Sequence, residues 1–123
     1  MAGADNPVER ILIGHGGGGR LSAELVAEEI VPRFGAGPLA GLPDGALLEL
    51  GGARLVLSTD SFVVRPLFFP GGDIGGLAVH GTVNDVAAAG GRPRFLALGL
   101  ILEEGLERAV LGRVLDSIAA AAG

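Results

Sequence analysis

Between residues 21 and 34 the apolar positions Ala23, Val26, Ala27, Ile30, Val31 and Phe34 recur at intervals of one, three and four. Ser22, Glu24, Glu28 and Glu29 fall on the opposite side. That period predicts an amphipathic helix from about Leu21, ended or kinked in its last turn by Pro32. Before it, Val8 to Ile13 reads as a short strand entering the run Gly14-His15-Gly16-Gly17-Gly18-Gly19-Arg20. After a Gly/Pro loop, Ala46 to Leu50 and Arg54 to Val64 read as strands, and Gly51-Gly52 between them is a hairpin signal. The turn Pro70-Gly71-Gly72-Asp73 follows, with Asp73 placed as N-cap of a small-residue helix from Ile74 to Ala89, stopped by Gly90-Gly91. Arg94 to Leu102 reads as a buried strand. A last helix, Leu106 to Ala122, puts Leu106, Val110, Leu111, Val114, Leu115, Ile118 and Ala122 on one face. This order predicts an α+β fold, a mixed or antiparallel sheet with helices on one face. The expected organisation is a loose leader over residues 1–7 and one domain over 8–123.

Composition narrows the class. The chain has 123 residues, 49% hydrophobic and 19% charged, which argues against disorder. A globule of this mass should expose roughly 6,000 Å², against about 18,000 Å² for the unfolded chain, enough burial for one core. Glycine is the outlier at 23 residues without a three-residue period, so turns and close backbone approaches are expected rather than collagen. The net charge is −5, and all nine basic residues are Arg. That balance makes nucleic acid and anionic membrane surfaces poor partners. There is no Cys, so disulfides, thiolate metal sites and a cysteine nucleophile within the chain are excluded. Neither a signal peptide nor an apolar run of about 18 residues is found, and a cytoplasmic location is the expectation.

Two groups of residues carry candidate chemistry. In the glycine run, Gly16, Gly17, Gly18 and Gly19 precede a helix. Backbone N–H groups in such a turn can face an anion, and any Cβ would block a phosphate. The run matches neither a P-loop nor a dinucleotide fingerprint, and taken alone it reads more readily as a flexible loop. The second group is acidic. Asp44 precedes a strand, Asp60 lies in Ser58-Thr59-Asp60-Ser61 within an apolar run, and Asp85 follows Asn84 in a helix of small residues. A carboxylate among apolar neighbours is expensive unless paired or bound to a cation. Three from separate elements suit Mg²⁺, which keeps waters and adds substrate phosphates. Singly, each also reads as a cap or a surface residue. His15 and His80 form no zinc cluster. Phe62, Phe68 and Phe69 read as core or interface.

Five segments in this order are similar to the N-terminal domain of the HypE family of hydrogenase maturation carbamoyl dehydratases. They are Ile13 to Arg20, Ser58 to Val64, Pro66 to Gly75, Ala78 to Asp85 and Leu98 to Gly105. HypE belongs to the aminoimidazole-ribonucleotide-synthetase-like (AIR-synthetase-like) ATP-binding superfamily, and Phe68-Phe69-Pro70-Gly71-Gly72-Asp73-Ile74-Gly75 is the stretch specific to HypE within it. The resemblance implies an AIR-synthetase-like domain whose sheet pairs across a homodimer. It implies ATP and Mg²⁺, with Gly16–Gly19 and Asn84 toward the nucleotide and Asp44, Asp60 and Asp85 toward the metal. It leaves the catalytic residue unknown. The family uses ATP to dehydrate an S-carbamoyl cysteine to a thiocyanate, the cyanide source for [NiFe]-hydrogenase. Partners implied are a HypF-type carbamoyltransferase and a HypC/HypD-type scaffold. The family's C-terminal domain and its cysteine-bearing tail fall outside these residues, so the chain alone is expected to be inactive. Other readings are a thiamine-monophosphate kinase or selenophosphate synthetase type of enzyme, and a non-catalytic dimerisation module.

Overall fold

The computed structural model describes residues 9–37, 40–42, 48 and 50–123. The first helical stretch begins one residue earlier than its period implies. Helix α1 (Arg20–Leu25) runs into a π-helical turn (Val26–Ile30) and on into α2 (Val31–Phe34). Pro32 thus lies in the last turn of the stretch, as expected, directly after the π turn. Proline has no N–H, and its ring crowds the carbonyl four residues back. The wider π turn just before it accommodates both defects. The stretch ends at Gly35, where a Cβ would lie 2.6 Å from the Val31 carbonyl oxygen.

Residues 68–73 form a hairpin where the sequence predicts only a turn. Strand β1 (Phe68–Phe69) pairs antiparallel with β2 (Gly72–Asp73), Phe68 opposite Asp73 and Phe69 opposite Gly72. Pro70 suits the first corner, and Gly71 takes the second at φ +90°, as a type II turn requires. Asp73 also caps α3 (Ile74–Ala88), accepting the Gly76 N–H at 2.9 Å. Helix α3 closes at the expected glycines, with Gly90 left-handed at φ +79°. Helix α4 (Arg108–Ala122) starts two residues later than its period implies. Leu106 and Glu107 are engaged instead by the N-terminal segment. The Ile11 N–H donates to the Leu106 carbonyl and the Gly105 N–H to the Ile11 carbonyl, both at 2.7 Å, and Arg10 bridges to Glu107. The predicted first strand thus pairs with the approach to α4 rather than with a sheet.

The core lies between these helices. Leu111, Leu115 and Ile118 of α4 meet Val79 of α3, Leu25 of α1 and Ile11. Helix α3 approaches α4 tightly at Gly75, where a Cβ would be 2.5 Å from the Val114 carbonyl oxygen. Ion pairs join the first helical stretch to α4. Arg108 reaches Glu9, Glu28 and Glu29, and Arg33 reaches Glu29 and Asp116.

The long strands differ from expectation. The Gly51-Gly52 turn forms, both residues at positive φ (53° and 73°), with the Ala53 N–H 3.3 Å from the Leu50 carbonyl. Two left-handed corners are what tight hairpins favour. Yet residues 54–64 and 94–102 carry no ladder among the described residues, and most of the 46–50 arm lies outside them. A strand takes its hydrogen bonds from neighbours, and the described chain offers these segments none. Their outer sides are apolar and bare: Leu57 and Val63 are each 93% exposed, Phe95 51% and Ile101 fully. Residues 94–102 are therefore not the buried strand the sequence predicts. The chain exposes 9165 Å², about half as much again as scaling gives for its mass. The helices with a small antiparallel sheet make the fold α+β. The leader, 1–7, lies outside the described residues, and among them no helix is long and apolar enough to cross a membrane.

Candidate functional site

The glycine run folds as one 3₁₀ turn (Ile13–Gly16) followed by a left-handed corner at Gly18, φ +73°. Three side-chain bonds fix it. The Leu12 N–H donates to His15 Nδ1 at 2.8 Å, the Ser22 hydroxyl donates to the His15 carbonyl at 2.7 Å, and the Gly18 N–H donates to Ser22 Oγ at 2.9 Å. Gly16, Gly17, Gly18 and Gly19 are all exposed. A Cβ on Gly16 or Gly19 would meet nothing within 4 Å, so the chain's own packing does not require glycine there. His15 and Gly16 border a cavity of about 320 Å³ that Leu100, Leu102 and Glu104 also line.

The acidic residues come from two elements that run side by side. Phe62 lies over Gly81, where a Cβ would be 2.8 Å from the ring, and Val56 lies against Gly91. Segment 54–64 therefore runs antiparallel along α3. This brings Ser58 to Asp85, its hydroxyl 3.4 Å from Oδ2. Asp60, two residues on, accepts the Ser61 N–H at 2.7 Å. Asp60, Asp85 and Asn84 are all exposed. The expectation that Asp60 and Asp85 stand desolvated among apolar neighbours is corrected: the run around Asp60 has no covering strand, and Asp85, beside Ser58, is exposed. Asp44 lies outside the described residues, and among those described no three acidic or imidazole groups converge on one point. Mg²⁺ that keeps waters and takes phosphate oxygens needs one or two carboxylates rather than an all-protein cage, and Asp60 and Asp85 are the two exposed candidates among the described residues.

Other residues of the recognised segments serve structure. Asp73 accepts the Ser117 hydroxyl as well as the Gly76 N–H. Ser117 first, then the Gly76 and Gly75 amides and the charge of Arg113, hold its carboxyl below the usual carboxylate range against the opposing effect of burial. The Arg113 guanidinium stands 3.9 Å over the Phe68 ring. His80 is exposed on α3, four residues before Asn84. Two contributors were not singled out by sequence reasoning, Ser22 and Ser58. The signals available were Ser22 four residues after Gly18, and Ser58 on the same side of an extended segment as Asp60.

A family model described as AIR synthase related protein, N-terminal domain, matches residues 43–123. The carbamoyl dehydratase HypE of Cupriavidus necator is 53% identical over 114 residues, covering 92% of this chain and 32% of that protein. Its counterpart from Azotobacter vinelandii is 54% identical over 108 residues, covering 88% and 32%. That of Escherichia coli is 45% identical over 117 residues, covering 91% and 35%. Among solved structures, hydrogenase maturation protein HypE in complex with ATP matches with a TM-score of 0.85 at 52% identity, over 90% of this chain and 33% of that one. The chain thus spans about a third of the length of the curated relatives it matches.

Proposed function

The chain belongs to the AIR synthase related family, whose N-terminal domain it carries, and from that membership we propose that it is the ATP- and Mg²⁺-binding, dimer-forming part of a HypE-type carbamoyl dehydratase. The observation that carries this reading is the match, over 90% of the chain, to a HypE solved with ATP. ATP supplies the activation that turns the oxygen of a cysteine-bound thiocarbamate into a leaving group, so that a thiocyanate remains for hydrogenase cyanide synthesis. This chain's part is to hold the nucleotide. Gly16–Gly19 leave the backbone bare of side chains, which lets phosphate oxygens approach it, while the Gly17 and Gly18 N–H groups are given to the Gly14 carbonyl and to Ser22 Oγ. Asp60 and Asp85, with Asp44, attract the metal, and Asn84, next to Asp85 in the sequence, is a neutral donor toward the nucleotide. The reacting cysteine belongs to a part of the protein beyond these residues, and the chain alone is inactive.

The bare apolar sides of 54–64 and 94–102 support a homodimer in which two copies cover one another. The full-length protein works in the cytoplasm with a HypF-type carbamoyltransferase and a HypC/HypD-type scaffold. The thiamine-monophosphate kinase and selenophosphate synthetase readings are disfavoured by identities of 45–54% to three HypE sequences. The test is mass spectrometry of the full-length protein, carbamoylated on its cysteine and then given Mg-ATP. Loss of one water per carbamoylated chain is expected. ATP hydrolysis without that loss would overturn the dehydratase reading.

A further inference from the structure

We propose that Ser22 is a positioning residue: its hydroxyl clamps the glycine loop in the shape that receives the nucleotide phosphates. This rests on the reading of Gly16–Gly19 given above. The hydroxyl works in both directions. It donates to the His15 carbonyl at 2.7 Å and accepts the Gly18 N–H at 2.9 Å. One oxygen on the first turn of the helical stretch thereby ties the residue before the loop to the loop's third glycine. The loop's other anchor is the His15 ring, whose Nδ1 accepts the Leu12 N–H.

Such a clamp is needed because of the loop's composition. Four consecutive glycines lose more conformational freedom on ordering than any other residues. A ligand that requires one loop shape is bound more weakly in proportion to the time the loop spends elsewhere. Gly18 needs glycine for its φ of +73°, but Gly16 and Gly19 do not need it for packing, since a Cβ there would meet nothing within 4 Å. The chain has given up side chains where its own structure has room for them, which leaves the backbone open to an outside group. Ser22 holds that open backbone in one arrangement.

The test compares Ser22→Ala and Ser22→Thr in the full-length protein. Ala removes both bonds, and because it is the better helix former the helix it sits on should persist. Thr keeps the hydroxyl. Mg-ATP affinity is read by titration calorimetry, amide hydrogen exchange at Gly16–Gly19 by mass spectrometry, and folding by the urea midpoint. The expected result is about tenfold weaker binding for Ser22→Ala, the population change that follows loss of a net hydrogen bond. Faster exchange in the loop and a nearly unchanged midpoint should accompany it, and Ser22→Thr should bind within about twofold of the parent. Parental affinity in Ser22→Ala would overturn the clamp and leave the loop's role intact. An affinity loss matched by a fallen midpoint and not restored by Thr would show a purely structural serine and also overturn it. Failure of the parent protein to bind Mg-ATP at all would overturn the reading of the loop, and the clamp with it.

Discussion

Asp73 shows how much one side chain in the recognised stretch is asked to do. It ends β2, caps α3 and receives the Ser117 hydroxyl from α4, so a single carboxylate ties three elements. Asp73→Ala should lower stability by about 1–2 kcal/mol, the usual worth of a cap, and Asp73→Asn by less, since the amide oxygen still accepts. Urea unfolding checks both. The carboxyl is held below its ordinary range, so its folded state binds a proton less readily than its unfolded state. Its contribution is therefore complete above about pH 4 and is lost as the pH falls through the lower folded value. Unfolding of parent and Asp73→Asn should converge at acid pH; a constant gap would contradict the charged cap. This role was legible in the sequence, because Asp before a helix of small residues is a local signal. Ser117 as its partner was not, since that contact depends on how α3 and α4 cross.

At the scale of elements, the packing of α3 on α4 makes opposite predictions for neighbouring glycines. A Cβ at Gly75 would lie 2.5 Å from the Val114 carbonyl, whereas at Gly76 the nearest atom is Asp73 Oδ1 at 4.0 Å. Gly75→Ala should cost about 1–3 kcal/mol by forcing the helices apart. Gly76→Ala should be neutral or stabilise by up to about 1 kcal/mol through helix propensity. Thermal unfolding that ranked the two the other way would contradict the observed helix contact. The helices themselves were readable from their periods and caps. Pro32 sits in the last turn as its sequence position implies, and the π turn before it is the local irregularity that the sequence did not specify. The long strands at 54–64 and 94–102 misled. Their composition is that of strands, but a ladder requires partners that the described chain does not supply.

For the whole molecule, the exposed surface of 9165 Å² and the bare sides of these two segments point outward. Sedimentation at tens of micromolar should find a dimer, and a monomer there would contradict the proposed pairing. The family and its α+β fold were legible because five short segments occur in order. The geometry of the acids was not: Asp60 and Asp85 are exposed, so burial does not explain them, and only the run of 54–64 along α3 brings their elements together. That exposure sharpens the central test. If Asp60 and Asp85 serve Mg-ATP, removing their charge should affect the ligand and spare the fold. The measurement is Mg-ATP titration of the full-length protein and of its Asp60→Asn and Asp85→Asn variants, with thermal unfolding of each. Affinity should fall about tenfold or more, a loss of about 1.4 kcal/mol or greater, while the unfolding temperature stays close to that of the parent. Unchanged affinity together with a clear fall in unfolding temperature would contradict the account and make these acids structural.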